Sequence, residues 1–192
     1  MKDQTGQHSS DRILAAATRI AQAHGYGGLN VRLLAEEVGI KAASLYHHFP
    51  SKADLAAAVA KRYWEDAAAI LEHLAAETGD PVECLRRYPA VTFRPSLENG
   101  NRMCMASFMS AEHDDLPEVV QQEVRRFADV NVEWLRKTVL AAKLAGPKEA
   151  EARARAIFAA VAGAQLMARG RADIALFDAL LDSYRACGLL PK

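Results

Sequence analysis

The stretch that decides the fold is residues 30–52, which read NVRLLAEEVGIKAASLYHHFPSK. Asn30 is a typical helix N-cap, and the apolar residues after it recur at the spacing of a short helix. Gly39 then supplies a sharp turn. A second helix begins at Ala42 and is stopped by Pro50, because proline has no amide donor. Two short helices joined by a tight turn predict a helix-turn-helix, which places its second helix in the major groove of DNA.

The second helix of this motif divides into an apolar side and a polar side. Leu45 and Phe49 are four residues apart, so both are expected to pack against Leu34 and Val38 of the preceding helix. Small residues on the other side allow close approach to a groove, and Ser44 can hydrogen-bond a base edge. The predicted DNA-binding residues are Arg32, Lys41, Ala42, Ala43, Ser44, Tyr46, His47, His48 and Lys52. The alternative is a pair of core helices with a solvated polar face.

The remainder of the chain has the composition of helices, because alanine, leucine, glutamate and arginine dominate and no strand-like alternation occurs. The sequence therefore predicts an all-α fold of about nine helices. We expect helices over residues 10–24, 31–38, 42–49, 51–77, 81–94, 101–112, 117–143, 147–169 and 172–187. The first three form a DNA-binding helix-turn-helix domain over residues 1–55. A long fourth helix joins it to an effector-binding and dimerisation domain over residues 56–192.

The composition and charge of the chain bear on its compartment and its partners. The chain has 192 residues, of which 51% are hydrophobic and 25% charged, and its net charge is zero. Residues 1–62 hold eight Lys or Arg and five Asp or Glu, so this part carries +3 and the remainder −3; this mild basic bias suits DNA binding. Three cysteines without a CxxC pair indicate free thiols in a reducing cytoplasm. Residues 1–8 lack the apolar core of a signal peptide. We expect no cofactor, no metal and no membrane partner.

The motif residues also resemble a known family. Residues 10 to about 64 are similar to the N-terminal domain of the TetR family of one-component transcriptional regulators. The matching positions are Val31-Arg32, Ala35-Glu36, Gly39-Ile40, Leu45-Tyr46-His47-His48-Phe49, Lys52 and Leu55. This resemblance implies a homodimer whose recognition helices enter successive major grooves of a palindromic operator, and a small molecule that splays them apart. Lys41-Ala42-Ala43 departs from the usual Ser-Lys-Gly, so the operator sequence cannot be transferred.

Two apolar stripes in the C-terminal half are candidates for a dimer interface. Paired helices from two subunits would form a four-helix bundle, as the resemblance also suggests. The predicted interface residues are Ala154, Phe158, Val161, Gln165, Ile174, Phe177, Leu181 and Tyr184. The alternative is that these stripes form a core within one chain.

Methionine and aromatic residues earlier in this half predict an adaptable effector pocket. The predicted lining is Phe93, Met103, Cys104, Phe108, Met109 and Trp134. Few charged residues fall in this region, so the sequence favours a small and largely apolar effector, a class that includes electrophiles.

Cys104 supports an alternative role in thiol chemistry or redox sensing. It follows Arg102 near a predicted helix start, and both features favour the reactive thiolate. The other interpretation is an inert buried cysteine. An enzyme using Cys104 with His113 is not expected, because no orienting group or oxyanion donor accompanies them. A third hypothesis is a helical interaction module that has lost DNA binding, against which Tyr46, His48 and Lys52 argue.

Overall fold

The computed structural model describes the backbone of residues 2–192 and the side chains from Ser9 onward. Within these residues the chain is all-helical, as predicted, with ten α-helices and one 3-10 turn. The helices are α1 (Lys2–His24), α2 (Val31–Val38), α3 (Ala42–His48), α4 (Lys52–Thr78), α5 (Pro81–Thr92), α6 (Arg94–Glu98), α7 (Met105–Ala111), α8 (Glu118–Ala141), α9 (Ala150–Arg171) and α10 (Ile174–Ala186). The 3-10 turn is His113–Asp115. No helix of this described part is long and apolar enough to cross a membrane. Residues 1–8, on which the export prediction depends, lie outside the described side chains.

The chain divides into two compact units. The first unit comprises the residues up to Trp64 together with Met105–Arg126, and the second unit comprises Glu65–Cys104 and Phe127–Lys192. This division differs from the predicted boundary between residues 55 and 56, because α7 and the start of α8 return to the first unit. The functional assignment of residues 1–55 and 56–192 remains a prediction.

The core of the first unit explains why α7 belongs to it. Leu34, Leu45 and Leu55 are fully buried there. Met105 and Met109 of α7 are buried in the same hydrophobic cluster. Two methionines distant in sequence therefore complete a core that the helix-turn-helix residues alone leave open.

The caps of α2 and α4 follow from local sequence. The Asn30 side chain accepts hydrogen bonds from the backbone N–H groups of Arg32 (3.0 Å) and Leu33 (3.2 Å), which fixes the start of α2. Gly39 ends α2 at φ +75°, a left-handed conformation that favours glycine. Ser51 Oγ accepts from the Asp54 N–H at 3.1 Å and donates to its carboxylate at 2.7 Å, which corresponds to half of the predicted capping box.

Several helix boundaries differ from the predicted ones; for example, helices expected from residues 101 and 147 begin at Met105 and Ala150. Residues 95–100 were expected to separate two helices, but Arg94–Glu98 form α6 with Pro95 in its first turn, where the missing amide costs nothing. At the end of α9, the helix continues past Gly170 to Arg171, and Ala172 follows as its C-cap with φ +51°. Glycine tolerates a helix interior when packing supports the helix, so Gly170 is not the terminator that the sequence suggested.

Candidate DNA-binding surface and effector region

Helix α3 separates its buried and exposed residues as the sequence predicts. Leu45 is fully buried and Phe49 nearly so. Tyr46 is 48% exposed, although it is large and aromatic. The other predicted DNA-binding residues are all at least partly exposed: Arg32, Lys41, Ala42, Ala43, Ser44, His47, His48 and Lys52. The predicted DNA-binding residues are thus at least partly accessible on the first unit.

The two helix starts of the motif differ in their free amides. At α2, Asn30 already occupies the N–H groups of Arg32 and Leu33. At α3, Lys41 stands in the N-cap position without a side-chain hydrogen bond. The first amides of α3 are therefore the ones available to an acceptor such as a phosphate, with the helix dipole adding a favourable partial charge.

Leu33 is an exposed residue of α2 that was not predicted as part of the DNA-binding surface. It is 60% exposed on α2, beside Arg32 in the chain. The exposure of Leu33 follows from helical spacing, because Leu34 and Val38 form the buried face of α2 and Leu33 lies about 100° around the helix from Leu34. An exposed leucine here can contact the thymine methyl group or a sugar.

Lys52 is held by the loop between α1 and α2. Its ammonium group donates to the Gly27 carbonyl at 3.5 Å and lies 4.4 Å from the centre of the Tyr26 ring. A cation above an aromatic face is attracted by the ring quadrupole. Lys52 therefore adds positive charge at a fixed position of the first unit.

The second unit contains an aromatic cluster made of the buried Tyr88, Phe93, Phe127 and Trp134 and the partly exposed Phe158. Tyr88 stacks on Trp134 with 5.8 Å between ring centres and meets Phe93 edge-on at 6.3 Å. The Tyr88 hydroxyl donates to Asn131 Oδ1 at 2.9 Å. Burial raises the pKa of Tyr88 well above its ordinary value, and the nearby Cys104 contributes in the same direction.

This packing changes the interpretation of the predicted effector residues. Phe93, Met103 and Cys104 are buried in the second unit, and Met109 is buried in the core of the first. Phe108 is partly exposed and belongs to the first unit. The six predicted lining residues are thus divided between two units, because α7 returns to the helix-turn-helix core. Within the second unit, Phe93 and Trp134 take part in dense aromatic packing, and the assignment of the six residues to an effector pocket stays a prediction.

A cavity of about 280 Å³ lies elsewhere in the second unit, where α4 ends, α5 begins and α8 approaches its end. Trp134 is the member of the predicted set that lines it. The other lining residues were not predicted: Glu72, Ala75, Gly79, Asp80, Pro81, Cys84, Lys137, Thr138 and Ala141. They come from three segments far apart in sequence, so no spacing pattern indicated them.

Cys104 and Gln165 are joined in the second unit. The Cys104 N–H donates to Gln165 Oε1 at 2.9 Å, and Gln165 Nε2 donates to the Phe93 carbonyl at 2.7 Å. Both Cys104 and Gln165 are fully buried. Gln165 therefore links α9 to Cys104 and to Phe93, and its side chain is not exposed at a surface. The same burial favours the inert interpretation of Cys104, because a thiol reagent has no direct access to it.

The predicted dimer stripes are also largely internal. Ala154, Val161, Phe177 and Leu181 are buried within the single chain, like Gln165. These five residues pack within the single chain, which favours the alternative of an internal core, and their assignment to a dimer interface stays a prediction. Phe158 is partly exposed but contacts Phe93 and Phe127, whereas Ile174 and Tyr184 are partly exposed.

A different face of α9 is exposed and mostly apolar. Leu166 is 58% and Met167 49% exposed. The stripe continues along the helix at alternating spacings of three and four residues through Ala152, Ala156, Ala159, Gly163 and Gly170. On α10, Ala175 and Ala179 are also exposed. We call these residues of α9 and α10 the small-residue face.

An exposed recognition helix on an all-helical scaffold defines the class of helix-turn-helix regulators. Residues 13–59 match the model of the bacterial regulatory proteins of the tetR family. The chain is similar to a TetR-family transcriptional regulator from Agrobacterium tumefaciens, with 31% identity, a TM-score of 0.84, and coverage of 91% of this chain and 94% of that one. A TetR transcriptional regulator from Legionella pneumophila is similar at 26% identity and a TM-score of 0.83, with 88% and 91% covered. The chain belongs to the TetR family of bacterial regulatory proteins.

A curated relative matches a shorter part of the chain. The HTH-type transcriptional repressor AcnR of Corynebacterium diphtheriae is 43% identical over 67 residues. That match covers 35% of this chain and 33% of the relative, so the chain spans about a third of its length.

Proposed function

We propose that the chain is a dimeric transcriptional repressor that binds operator DNA through α2 and α3 and is released by a small, largely apolar effector. The observation that carries this proposal is the exposed face of α3, whose polar residues lie opposite the buried Leu45. The repressor role is supported by the name of the curated relative. The proposal implies action in the cytoplasm, where bacterial operator DNA lies.

DNA binding is tested with duplex DNA from the region flanking the gene of this protein, chosen for an inverted repeat. Fluorescence anisotropy should give an affinity that falls by orders of magnitude between about 50 and 200 mM salt, because bound phosphates release counterions. The double variant Arg32→Ala, Tyr46→Ala should bind about 100- to 1000-fold more weakly, since each lost contact costs about 1–3 kcal/mol.

The matched control for that experiment is Lys148→Ala, which removes an exposed cation from the second unit. It should keep the wild-type affinity. If the double variant binds as tightly as the wild type, α2 and α3 do not form the DNA surface and the proposal is wrong.

Dimerisation is proposed to use the small-residue face. Alanine and glycine allow close approach of helices, and Leu166 and Met167 would supply the apolar contacts. Large exposed apolar side chains grouped on one face are typical of an interaction site. A two-fold axis would pair this face with its copy, because symmetric dimers use the same patch on both subunits.

The effector site is proposed to be the 280 Å³ cavity, whose volume suits a small molecule. Most of its lining surface is apolar, with contributions from Ala75, Pro81, Cys84 and Trp134, and four polar or charged side chains also line it, which favours a largely apolar ligand. The neutral fluorescent probe N-phenyl-1-naphthylamine should bind there, with a gain in its emission. Ala75→Leu should fill the cavity and reduce this gain, whereas Ala90→Leu, on the exposed side of α5, should not. Equal probe binding by both variants would contradict this assignment.

A further inference from the structure

The loop between α1 and α2 encloses the carboxylate of Glu112, which follows α7. The backbone N–H of Tyr26 donates to Glu112 Oε2 at 2.6 Å, and the N–H of Gly27 donates to Glu112 Oε1 at 3.0 Å. Both oxygens of one carboxylate are thus bound by two consecutive amides. The residues involved are more than 80 positions apart in sequence, and all lie in the first unit.

The loop has the geometry of a backbone anion site. Gly25 has φ +65°, so the chain turns through the left-handed region and aims the next two amides at one point. Consecutive amides in such a turn form a concave site for an anion. A Cβ atom added at Gly25 would lie 2.2 Å from Glu112 Oε2, so a side chain there would expel the carboxylate. The carboxylate can occupy this position only because residue 25 has no side chain.

This site is directly connected to the proposed DNA-binding surface. Asn30 caps α2 shortly after the loop, and Arg32 occupies the first turn of α2. On the other side, Lys52 donates to the Gly27 carbonyl and covers the Tyr26 ring. Two of the predicted DNA-binding residues, Arg32 and Lys52, therefore depend on the conformation of the loop that Glu112 holds.

From this arrangement we infer that Glu112 is a positioning residue for DNA binding. Its carboxylate fills the anion site of the α1–α2 loop and so fixes the start of α2 and the ammonium of Lys52. The Met105 and Met109 side chains of the same helical segment anchor α7 in the first-unit core. A movement of the last turn of α7 that withdraws Glu112 would release two amides and loosen the DNA-binding surface. The inference rests on the proposed function, because it concerns affinity for the same operator DNA.

The test uses the full-length protein and the same operator duplex. Glu112→Ala should weaken DNA binding about tenfold or more, because the two charge-assisted hydrogen bonds to the loop are lost. The sign of this effect is informative. Removal of a negative charge alone would strengthen binding to DNA, so a loss of affinity requires a change in loop conformation. The matched control Glu118→Ala removes the same charge from the exposed start of α8 in the same unit and should not weaken binding.

Restoration of DNA binding by added formate distinguishes the loss of the Glu112 carboxylate from a general loss of stability. Sodium formate should restore the DNA affinity of Glu112→Ala, because the small carboxylate can enter the vacated loop. Sodium chloride at the same ionic strength should not restore it, and the wild type should respond equally to both salts. Glu112→Gln, which keeps the size of the side chain, should shift the amide proton resonances of Tyr26 and Gly27 without unfolding the protein.

The failure of this inference can be separated from the failure of the proposed function. If the wild type does not bind the duplex, the proposed function fails. The proposed function stands if the wild type binds the duplex and the double variant Arg32→Ala, Tyr46→Ala binds it more weakly. In that case, unchanged affinity in both Glu112 variants overturns only the positioning role of Glu112. A loss of affinity that formate and chloride affect equally overturns it as well.

Discussion

In the helix-turn-helix, hydrophobic spacing in the sequence identifies the buried residues, whereas in helix α9 it does not. In α2 and α3, apolar and polar residues alternate at helical spacing, so the buried residues can be read directly, as for Leu34 and Leu45. In α9, alanine and other apolar residues occupy every side of the helix. Leu166 is exposed there while Gln165 is fully buried. Hydrophobic spacing identifies a buried face only when the opposite face is polar.

The largest expected effect tests this rule within α2. Leu34→Ala removes a fully buried side chain and should lower the free energy of unfolding by about 2–5 kcal/mol, through lost burial and a residual cavity. Leu33→Ala removes the neighbouring exposed leucine and should change it by at most about 0.5 kcal/mol. Denaturant unfolding followed by circular dichroism measures both. Equal losses would mean that the two sides of α2 are not distinguished as described.

The second prediction concerns the face of α9 that the sequence did not identify. Leu166→Glu combined with Met167→Glu should weaken dimerisation about 100-fold or more, because burying unpaired carboxylates in an apolar contact costs several kcal/mol. Sedimentation velocity over a concentration series measures the dissociation constant. Val119→Glu places the same charge at another exposed apolar position and should leave the association state unchanged. A double variant that dimerises like the wild type would exclude the small-residue face as the interface.

Features that depend on residues close together in the sequence were predicted, and features that join distant segments were not. The all-helical fold, the caps at Asn30 and Ser51, and the burial of Leu45 follow from residues within a few positions of one another, and they were predicted. The packing of Met105 and Met109 in the helix-turn-helix core was not predicted, because it joins segments distant in sequence. The cavity beside Trp134 and the Glu112 site were missed for the same reason. Burial of Gln165 was missed because a polar residue on an apolar helix does not reveal its partners.

A third prediction compares polar groups in the second unit. Tyr88→Phe removes the hydrogen bond to buried Asn131 and should cost about 1–3 kcal/mol of stability, since an acceptor is left unsatisfied. The control Tyr184→Phe, at a partly exposed position, should change stability by less than about 0.5 kcal/mol. Thermal unfolding at neutral pH measures both, and equal effects would contradict the role of the buried hydroxyl.

The pH dependence of the Tyr88 variant has a defined sign. Burial raises the pKa of folded Tyr88, so its contribution to stability is fully present below the ordinary tyrosine pKa of about 10. That contribution is lost as the pH rises from there through the raised pKa of the folded state. Tyr88→Phe should therefore lose less stability than the wild type between neutral pH and the alkaline range. An identical alkaline decline in both proteins would contradict this cause.

The smallest expected effect lies at the end of α9, where the sequence pattern indicated Gly170 and the helix instead ends at Arg171 with Ala172 as its C-cap. Ala172 has φ +51°, and its N–H donates to carbonyls of the last turn. An alanine in the left-handed conformation is strained, so Ala172→Gly should raise the free energy of unfolding by about 0.5–1 kcal/mol. Ala69→Gly, at an exposed position inside α4, should lower it by about 1 kcal/mol, because glycine is unfavourable in a helix interior. Denaturant midpoints should therefore move in opposite directions for the same chemical change. If both variants are destabilised, Ala172 does not cap α9 with the geometry described.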